Sequence, residues 1–363
     1  MKILLIGEYS NVHTTLAKGL RALGHQVCVM SDGDSWKNYP RDIDVVRQPG
    51  KIGGIKLLAK VYSLLPKLKG YDVVQLINPM FLELKAERIF HIYRYLRKHN
   101  KCVVLGAFGM DWYWVHECTT TMTLRYSDFN IGKELRTNAD AIKERNDWLG
   151  TTKEKLNRII AEDCDAIVAG LFEYQVCYQA VFPAKTTFIP YPILSKAPKL
   201  QKVSQPLKVF IGISKSRSEY KGTDIMLQAA KDVYEKYPER ICLQIAEGIP
   251  FEQYVSKMQE SDVILDQLYS YTPAMNALEA MSQGIVVVGG GEPENYEILH
   301  ETELRPIVNV LPTYESIYHE LEQLVLHPER LPELKQQSIE YIQKHHDYIK
   351  VARQYEQLYQ SIL

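Results

Sequence analysis

Asp266-Gln267-Leu268-Tyr269-Ser270-Tyr271-Thr272-Pro273-Ala274-Met275-Asn276-Ala277-Leu278-Glu279-Ala280-Met281-Ser282-Gln283-Gly284 runs out of a Val/Ile/Leu tract, through a helical pattern, and into Ile285-Val286-Val287. Thr272 before Pro273 has the form of an N-cap with proline at the first helical position, so these residues predict a helix opening directly after a strand. The N–H groups and positive dipole end of such a helix suit an anion such as a diphosphate. Glu279 then lies about two turns inside the helix. A carboxylate behind a phosphate site can accept both hydroxyls of a ribose. Taken alone, a Glu before Ala-Met also reads as an exposed helical residue.

Around this tract the chain alternates β-rich runs with helical ones. In the second half the strands are expected at Lys208–Ile213, Cys242–Ala246, Val263–Leu268, Ile285–Val288 and Pro306–Val310. In the first half they are expected at Lys2–Gly7, Gln26–Ser31, Val73–Asn78, Cys102–Gly109, Ala166–Gly170 and Thr186–Pro190. Runs of this composition separated by helices indicate an α/β fold, with parallel sheets covered on both faces. Residues 190–206 hold four prolines (Pro190, Pro192, Pro198 and Pro206), which suit neither a helix nor a central strand and mark a connector. From Thr313 the pattern is helical to Leu363, broken near Pro328 and Pro332. A length of 363 residues fits two domains. Ligands of such sheets bind beyond the carboxyl ends of the strands, so the loops after Gly7, Gly109, Ile213, Leu268 and Val288 are the places to look for chemistry.

The run Leu278-Glu279-Ala280-Met281-Ser282-Gln283-Gly284-Ile285-Val286-Val287 resembles the LEAMA-G-PVV signature of the retaining GT-B glycosyltransferases of family 4, also called group 1. The resemblance makes Glu279 the second glutamate of an E-x7-E motif, the one associated with the ribose. The first falls at Tyr271, a departure from the family, so the role of that glutamate beside the transferred sugar is either taken by Tyr271, shared by nearby polar groups, or lost. Gly212-Ile213-Ser214-Lys215-Ser216-Arg217-Ser218-Glu219-Tyr220-Lys221-Gly222 resembles the family's GR-KG element, whose cations neutralise the diphosphate. Lys221 matches through Gly222. The arginine match stays open between Lys215 and Arg217. Gly289-Gly290-Gly291-Glu292-Pro293-Glu294 resembles the glycine-rich GG-PE segment. Asn276 and Gly290 join Lys215, Arg217, Lys221 and Glu279 in the expected donor-binding set.

The resemblance implies a GT-B fold, two Rossmann-like domains facing a cleft. Residues 1–195 form the acceptor-binding domain, residues 206–338 the nucleotide-sugar domain, and a C-terminal helix over 339–363 crosses back to the first. On the acceptor side, His13 follows the first strand, where it either contacts the acceptor or serves the structure. Asp111 sits among Trp112, Tyr113 and Trp114 at the end of the fourth strand. It either accepts the acceptor's proton from a raised pKa or caps a helix.

Net charge is −1, but residues 1–200 carry 28 basic and 20 acidic residues, and the remainder 15 and 24. Residues 51–101 alone hold 11 basic residues against Asp72, Glu83 and Glu87. Within them, 51–69 mixes five lysines with Ile55, Leu57, Leu58, Val61, Leu64 and Leu65. That stretch reads either as a helix lying on an anionic membrane or as a core-facing helix with a solvated lysine face. No nucleic-acid module is recognisable, and nucleic acid is not expected as a partner. Six scattered cysteines suggest reduced thiols. The Asp32-Gly33-Asp34 triplet reads as a turn, and no catalytic metal or cofactor is expected. The first-strand glycines lack G-x-G-x-x-G, which disfavours a dehydrogenase. The expected activity is retaining sugar transfer from a nucleotide-diphosphate sugar to a sugar or lipid-linked glycan, in surface polysaccharide or glycolipid synthesis. The expected place is the cytoplasm, at the inner face of the membrane if 51–101 meets it. A nucleotide-sugar epimerase of the same architecture, or a sugar-nucleotide-binding protein with impaired catalysis, is the alternative.

Overall fold

The structure is a computed structural model describing residues 1–194, 200–214 and 217–363. From the N-terminus come β1 (Lys2–Ile6), α1 (Val12–Ala22), β2 (Gln26–Ser31), β3 (Ile43–Asp44), α2 (Gly50–Leu64), β4 (Val73–Leu76) and α3 (Ala86–His99). Next are β5 (Cys102–Ala107), α4 (Trp112–His116), β6 (Asn130–Ile131), β7 (Glu134–Leu135), α5 (Ala139–Trp148), α6 (Thr152–Asp163), β8 (Ala166–Ala169), α7 (Phe172–Gln179) and β9 (Thr186–Phe188). There follow β10 (Leu207–Ile213), α8 (Ser218–Lys221), α9 (Thr223–Lys236), β11 (Ile241–Glu247), α10 (Phe251–Gln259), β12 (Val263–Leu265) and α11 (Met275–Met281). The chain ends with β13 (Val286–Gly289), α12 (Pro293–Ile298), β14 (Val308–Asn309), α13 (Tyr314–Leu326), α14 (Leu331–Tyr341) and α15 (Tyr348–Ile362).

Two compact units result. The first comprises Met1–Glu117, Glu144–Leu194 and Tyr348–Leu363; the second comprises Cys118–Lys143 and Ser195–Asp347. The first unit is built on a seven-stranded sheet ordered β3-β2-β1-β4-β5-β8-β9, and its neighbours pair in parallel. The second has a five-stranded parallel sheet ordered β11-β10-β12-β13-β14. Its central strands are apolar on both faces because helices cover both. Val209, Ile211, Val263, Leu265, Val286 and Val288 pack with Met226 and Val233 of α9 and Ile317 and Leu321 of α13. In each unit the strand order reverses once, between β1 and β4 and between β10 and β12, and such a switch point opens a crevice at the carboxyl ends of the strands.

Several bounds differ from the expected ones. The described unit division leaves the first half twice, because 118–143 belongs with the second unit. The crossing-back helix begins at Tyr348, not at residue 339, since Ile339 and Tyr341 end α14. The α15 helix is tied to its unit by the Tyr359 hydroxyl donating to Gln75 Oε1 at 2.6 Å and by His25 Nε2 lying 2.8 Å from Glu356 Oε1. The helical run does break near Pro328 and Pro332, between Leu326 and Leu331, and Pro332 sits in the first turn of α14, where a proline loses no hydrogen bond. The connector falls partly on residues 195–199, outside the described residues. On α2, Leu57 and Val61 are buried while Ile52 and Ile55 are 70% and 68% exposed among the lysines. No helix among the described residues is long and apolar enough to cross a membrane.

Candidate functional site

At the β10/β12 switch point two loops run side by side. Strand β10 ends at Ile213, and the short α8 begins after Arg217 and ends at Gly222. The Leu268 N–H donates to the Lys221 carbonyl at 2.9 Å, joining this loop to the one after β12. Gly222 has φ +74°, and a Cβ there would lie 2.6 Å from Leu268 Cβ, so both its conformation and the close approach require glycine. Lys221, half-buried, is near enough for its charge to act on the Asp266 carboxyl at the end of β12. That carboxyl is raised above its ordinary range by desolvation and drawn partly back by Asn276 and Lys221.

The helix after β12 begins at Met275, not at Pro273. Ala274 is its N-cap, at ψ 179° and without a side-chain cap. Tertiary contacts override the Thr-Pro signal. Tyr271 is buried, its carbonyl accepts from Glu292 N at 3.1 Å, and its hydroxyl accepts from Arg125 N at 2.6 Å. These bonds hold 270–273 in the loop. Glu279 is therefore only about one turn inside α11. It is half-buried, and its carbonyl accepts from Ser282 Oγ at 2.7 Å.

The remaining residues of the expected donor-binding set are Lys215, Arg217, Asn276 and Gly290. Lys215 lies outside the described residues. Arg217 is exposed, with its guanidinium 5.3 Å from the Tyr220 ring centroid. The Asn276 side chain is engaged at both ends, donating to Asp266 Oδ1 at 3.1 Å and accepting from the Tyr254 hydroxyl at 3.0 Å. Gly290 abuts the loop after β12: a Cβ would fall 2.1 Å from the Ser270 carbonyl oxygen. Beside it, the Ser270 hydroxyl is buried with no hydrogen-bond partner among the described residues. The fold thus brings the Lys221 loop, the Tyr271 loop, α11 and the glycine run together in the second unit.

In the first unit the expected residues are saturated. His13 is fully buried, with Nδ1 2.8 Å from the Gly7 carbonyl and Nε2 3.1 Å from Gln75 Nε2. The Tyr359 hydroxyl occupies Gln75 Oε1, so the Gln75 amide N–H faces His13 Nε2, which assigns the ring proton to Nδ1. Burial lowers this histidine to about 4. Asp111 is also fully buried and caps α4, accepting from Trp114 N at 2.9 Å on Oδ1 and from the Tyr178 hydroxyl at 2.7 Å on Oδ2. Burial raises its carboxyl to about 6. Asp34 accepts from Ser10 N at 2.8 Å and from Lys37 Nζ at 2.7 Å, as a turn residue.

Two groups had no sequence signal. Glu8 is buried and accepts from His13 N, Thr14 N and the Thr14 hydroxyl, and desolvation raises it to about 7. The sequence pattern puts residues 118–143 in the first domain. Instead Arg125 pairs with Glu292 at 2.8 Å and with Glu294, and the Tyr126 hydroxyl donates to Glu292 Oε1 at 2.7 Å. The Tyr126 ring stacks on Tyr271 with centroids 4.8 Å apart. Among the described residues no group of three or more His, Cys, Asp or Glu is arranged to hold a metal ion.

No family model matches the chain, and no curated protein matches it. Solved structures do resemble it. A sucrose-phosphate synthase from Thermosynechococcus elongatus matches 100% of this chain and 99% of its own, with a TM-score of 0.64 at 13% identity. The Anabaena protein HepE, solved in complex with UDP and glucose, matches 99% and 100%, with a TM-score of 0.59 at 14% identity. A UDP-GlcNAc 2-epimerase from Neisseria meningitidis, bound to UDP-GlcNAc, matches 98% and 99%, with a TM-score of 0.56 at 12% identity. These similarities, spanning both units, show the GT-B fold.

Proposed function

We propose that this chain is a glycosyltransferase, moving a sugar from a nucleotide-diphosphate donor to a hydroxyl acceptor with retention, in the manner of family 4. The observation that carries the reading is the hydrogen bond of Leu268 N to the Lys221 carbonyl, which sets a cationic loop against the loop leading to Glu279 at a switch point. HepE, of the same fold, was solved with UDP and glucose. Breaking a sugar–phosphate bond leaves negative charge on the nucleoside diphosphate, and fixed cations stabilise that charge as it develops. Lys221, with Lys215 or Arg217, takes the diphosphate, and Glu279 takes the ribose hydroxyls. Gly290 allows the close backbone approach, Asn276 holds Asp266 and α11 in register, and Tyr271 stands beside the transferred sugar.

The departing phosphate oxygen takes the proton of the incoming hydroxyl on the same face of the sugar. Asp111 and His13 then serve the acceptor side by holding the loops after β5 and β1, since their polar atoms are already engaged. No metal or cofactor enters this scheme. A lipid-linked glycan is the acceptor that suits α2, where exposed Ile52 and Ile55 lie among lysines facing an anionic membrane at its cytoplasmic face.

Turnover of a sugar nucleotide tests the reading. Nucleoside diphosphate release should require an added hydroxyl acceptor, and the product should keep the anomeric configuration, as read by NMR. Conversion of the sugar nucleotide to its epimer without acceptor would instead establish the epimerase alternative, which the Neisseria neighbour supports. Binding without turnover across an acceptor panel would establish an impaired enzyme.

A further inference from the structure

Residues 118–143 leave the first unit and return to it at Glu144, yet their side chains bond to loops of the second unit. Arg136 is the hub. Its Nη1 lies 3.0 Å from the Tyr220 carbonyl oxygen, 3.3 Å from that of Ser127 and 3.2 Å from that of Asp128, and its Nη2 lies 2.7 Å from that of Glu219. Its guanidinium covers the Tyr269 ring, 3.6 Å from the centroid. On the other side of the same loop, the Tyr220 hydroxyl donates to Asp128 Oδ2 at 2.9 Å. Two of the four carbonyls that Arg136 grips, those of Glu219 and Tyr220, come immediately before Lys221, and Tyr269 follows Leu268, which bonds to the Lys221 carbonyl.

We infer that Arg136 is a positioning residue for Lys221: residues 118–143 form a strap that fixes the diphosphate-binding loop from outside its own αβ repeat. This rests on the reading of Lys221 as a diphosphate ligand. The physical case is one of pre-organisation. A four-residue helix such as α8 has too few internal bonds to hold a lysine in one place. A planar guanidinium that bonds several carbonyls and stacks on a ring supplies the missing order, and it adds positive charge near an anion site. A lysine ammonium lacks that fork, so Arg136→Lys should not restore the effect.

The test is titration of UDP and GDP by calorimetry into the wild-type chain, Arg136→Ala, Arg136→Lys, Lys221→Ala and the Arg136→Ala/Lys221→Ala double variant. Each single alanine variant should bind the better of the two nucleotides about tenfold more weakly, and the double variant little more weakly than either, because coupled residues are not additive. Losses that multiply in the double variant, or unaltered affinity in Arg136→Ala, would overturn the inference. Tyr220→Phe removes only the tie to Asp128 and stands in if Arg136→Ala does not fold. It should weaken binding a few-fold, and unchanged affinity would again overturn the inference. If the wild-type chain binds neither nucleotide, the diphosphate reading itself fails, a result separate from binding that ignores Arg136.

Discussion

Glu8, His13 and Asp111 in the first unit and Arg217, Lys221 and Glu279 in the second all lie near carboxyl ends of parallel strands, yet they are held differently. In the first set, both carboxyl oxygens or both ring nitrogens are engaged within the unit, and the residues are buried. In the second, order comes from a main-chain bond, a close glycine contact and the strap, while Arg217 is exposed and Lys221 and Glu279 are half-buried. A polar group spent on capping its own chain is a part of the scaffold. In the second set the loops themselves are ordered, by main-chain bonds and by the strap.

The largest effect expected from this contrast is on stability. Asp111→Ala strands the Trp114 N–H and the Tyr178 hydroxyl in the interior, at a cost of about 3 kcal/mol. The melting temperature should fall by several degrees while nucleoside diphosphate affinity stays within about twofold of wild type. A stable variant that still turns over more slowly would return Asp111 to the catalytic role.

Gly290→Ala comes next. Its Cβ meets the Ser270 backbone, which cannot yield as a flexible side chain would, so about 2 kcal/mol of stability should be lost, together with nucleotide affinity. An unaltered melt would break the claim that the glycine run and the Ser270 loop are locked together.

Much of this is legible in the sequence, and the rest is not, for physical reasons. Continuous Val, Ile and Leu runs placed the strands, because a doubly covered parallel strand needs no polar alternation. The two-residue β3 and the β6–β7 pair are too short to make a pattern. Thr272-Pro273 is a sound local start signal, but bonds to Arg125 and Glu292 outweigh it. The strap is invisible for a different reason: Arg125 and Glu292 are 167 positions apart, and nothing local marks their pairing. His13 and Asp111 lie where the strand pattern places them, but the saturation of their polar atoms is a property of packing. Composition does not encode it.

A third effect concerns the exposed face of α2. Replacing either Ile52 or Ile55 by Asp should weaken co-sedimentation with vesicles of anionic lipid by about tenfold, since a fully inserted side chain contributes roughly 1.5 kcal/mol. Equal sedimentation of variant and wild type would confine the first unit to soluble acceptors.

The last effect is a pH dependence. Glu8 titrates at about 7 when folded against an ordinary value of 4.5. Between these values the folded chain holds a proton that the unfolded chain has lost, so this group's contribution to stability declines as pH rises. His13, lowered to about 4, acts in the opposite sense, since the unfolded chain binds the extra proton and stability rises with pH between about 4 and 6.5. Glu8→Gln removes only the first contribution. The melting temperature of the variant relative to wild type should therefore climb from pH 4.5 to 7, and a flat difference would show that Glu8 is not desolvated.

The Lys221 and Glu279 segments should bind a nucleoside diphosphate together. Thermal melts with UDP, GDP and other nucleoside diphosphates, run on the wild-type chain and on Glu279→Ala, test it most directly. A ligand at ~100 times its dissociation constant should stabilise the wild type by about 2.7 kcal/mol, a rise of a few degrees, and the rise should vanish in Glu279→Ala. An equal rise in the variant, or none in the wild type with any nucleotide, would contradict it.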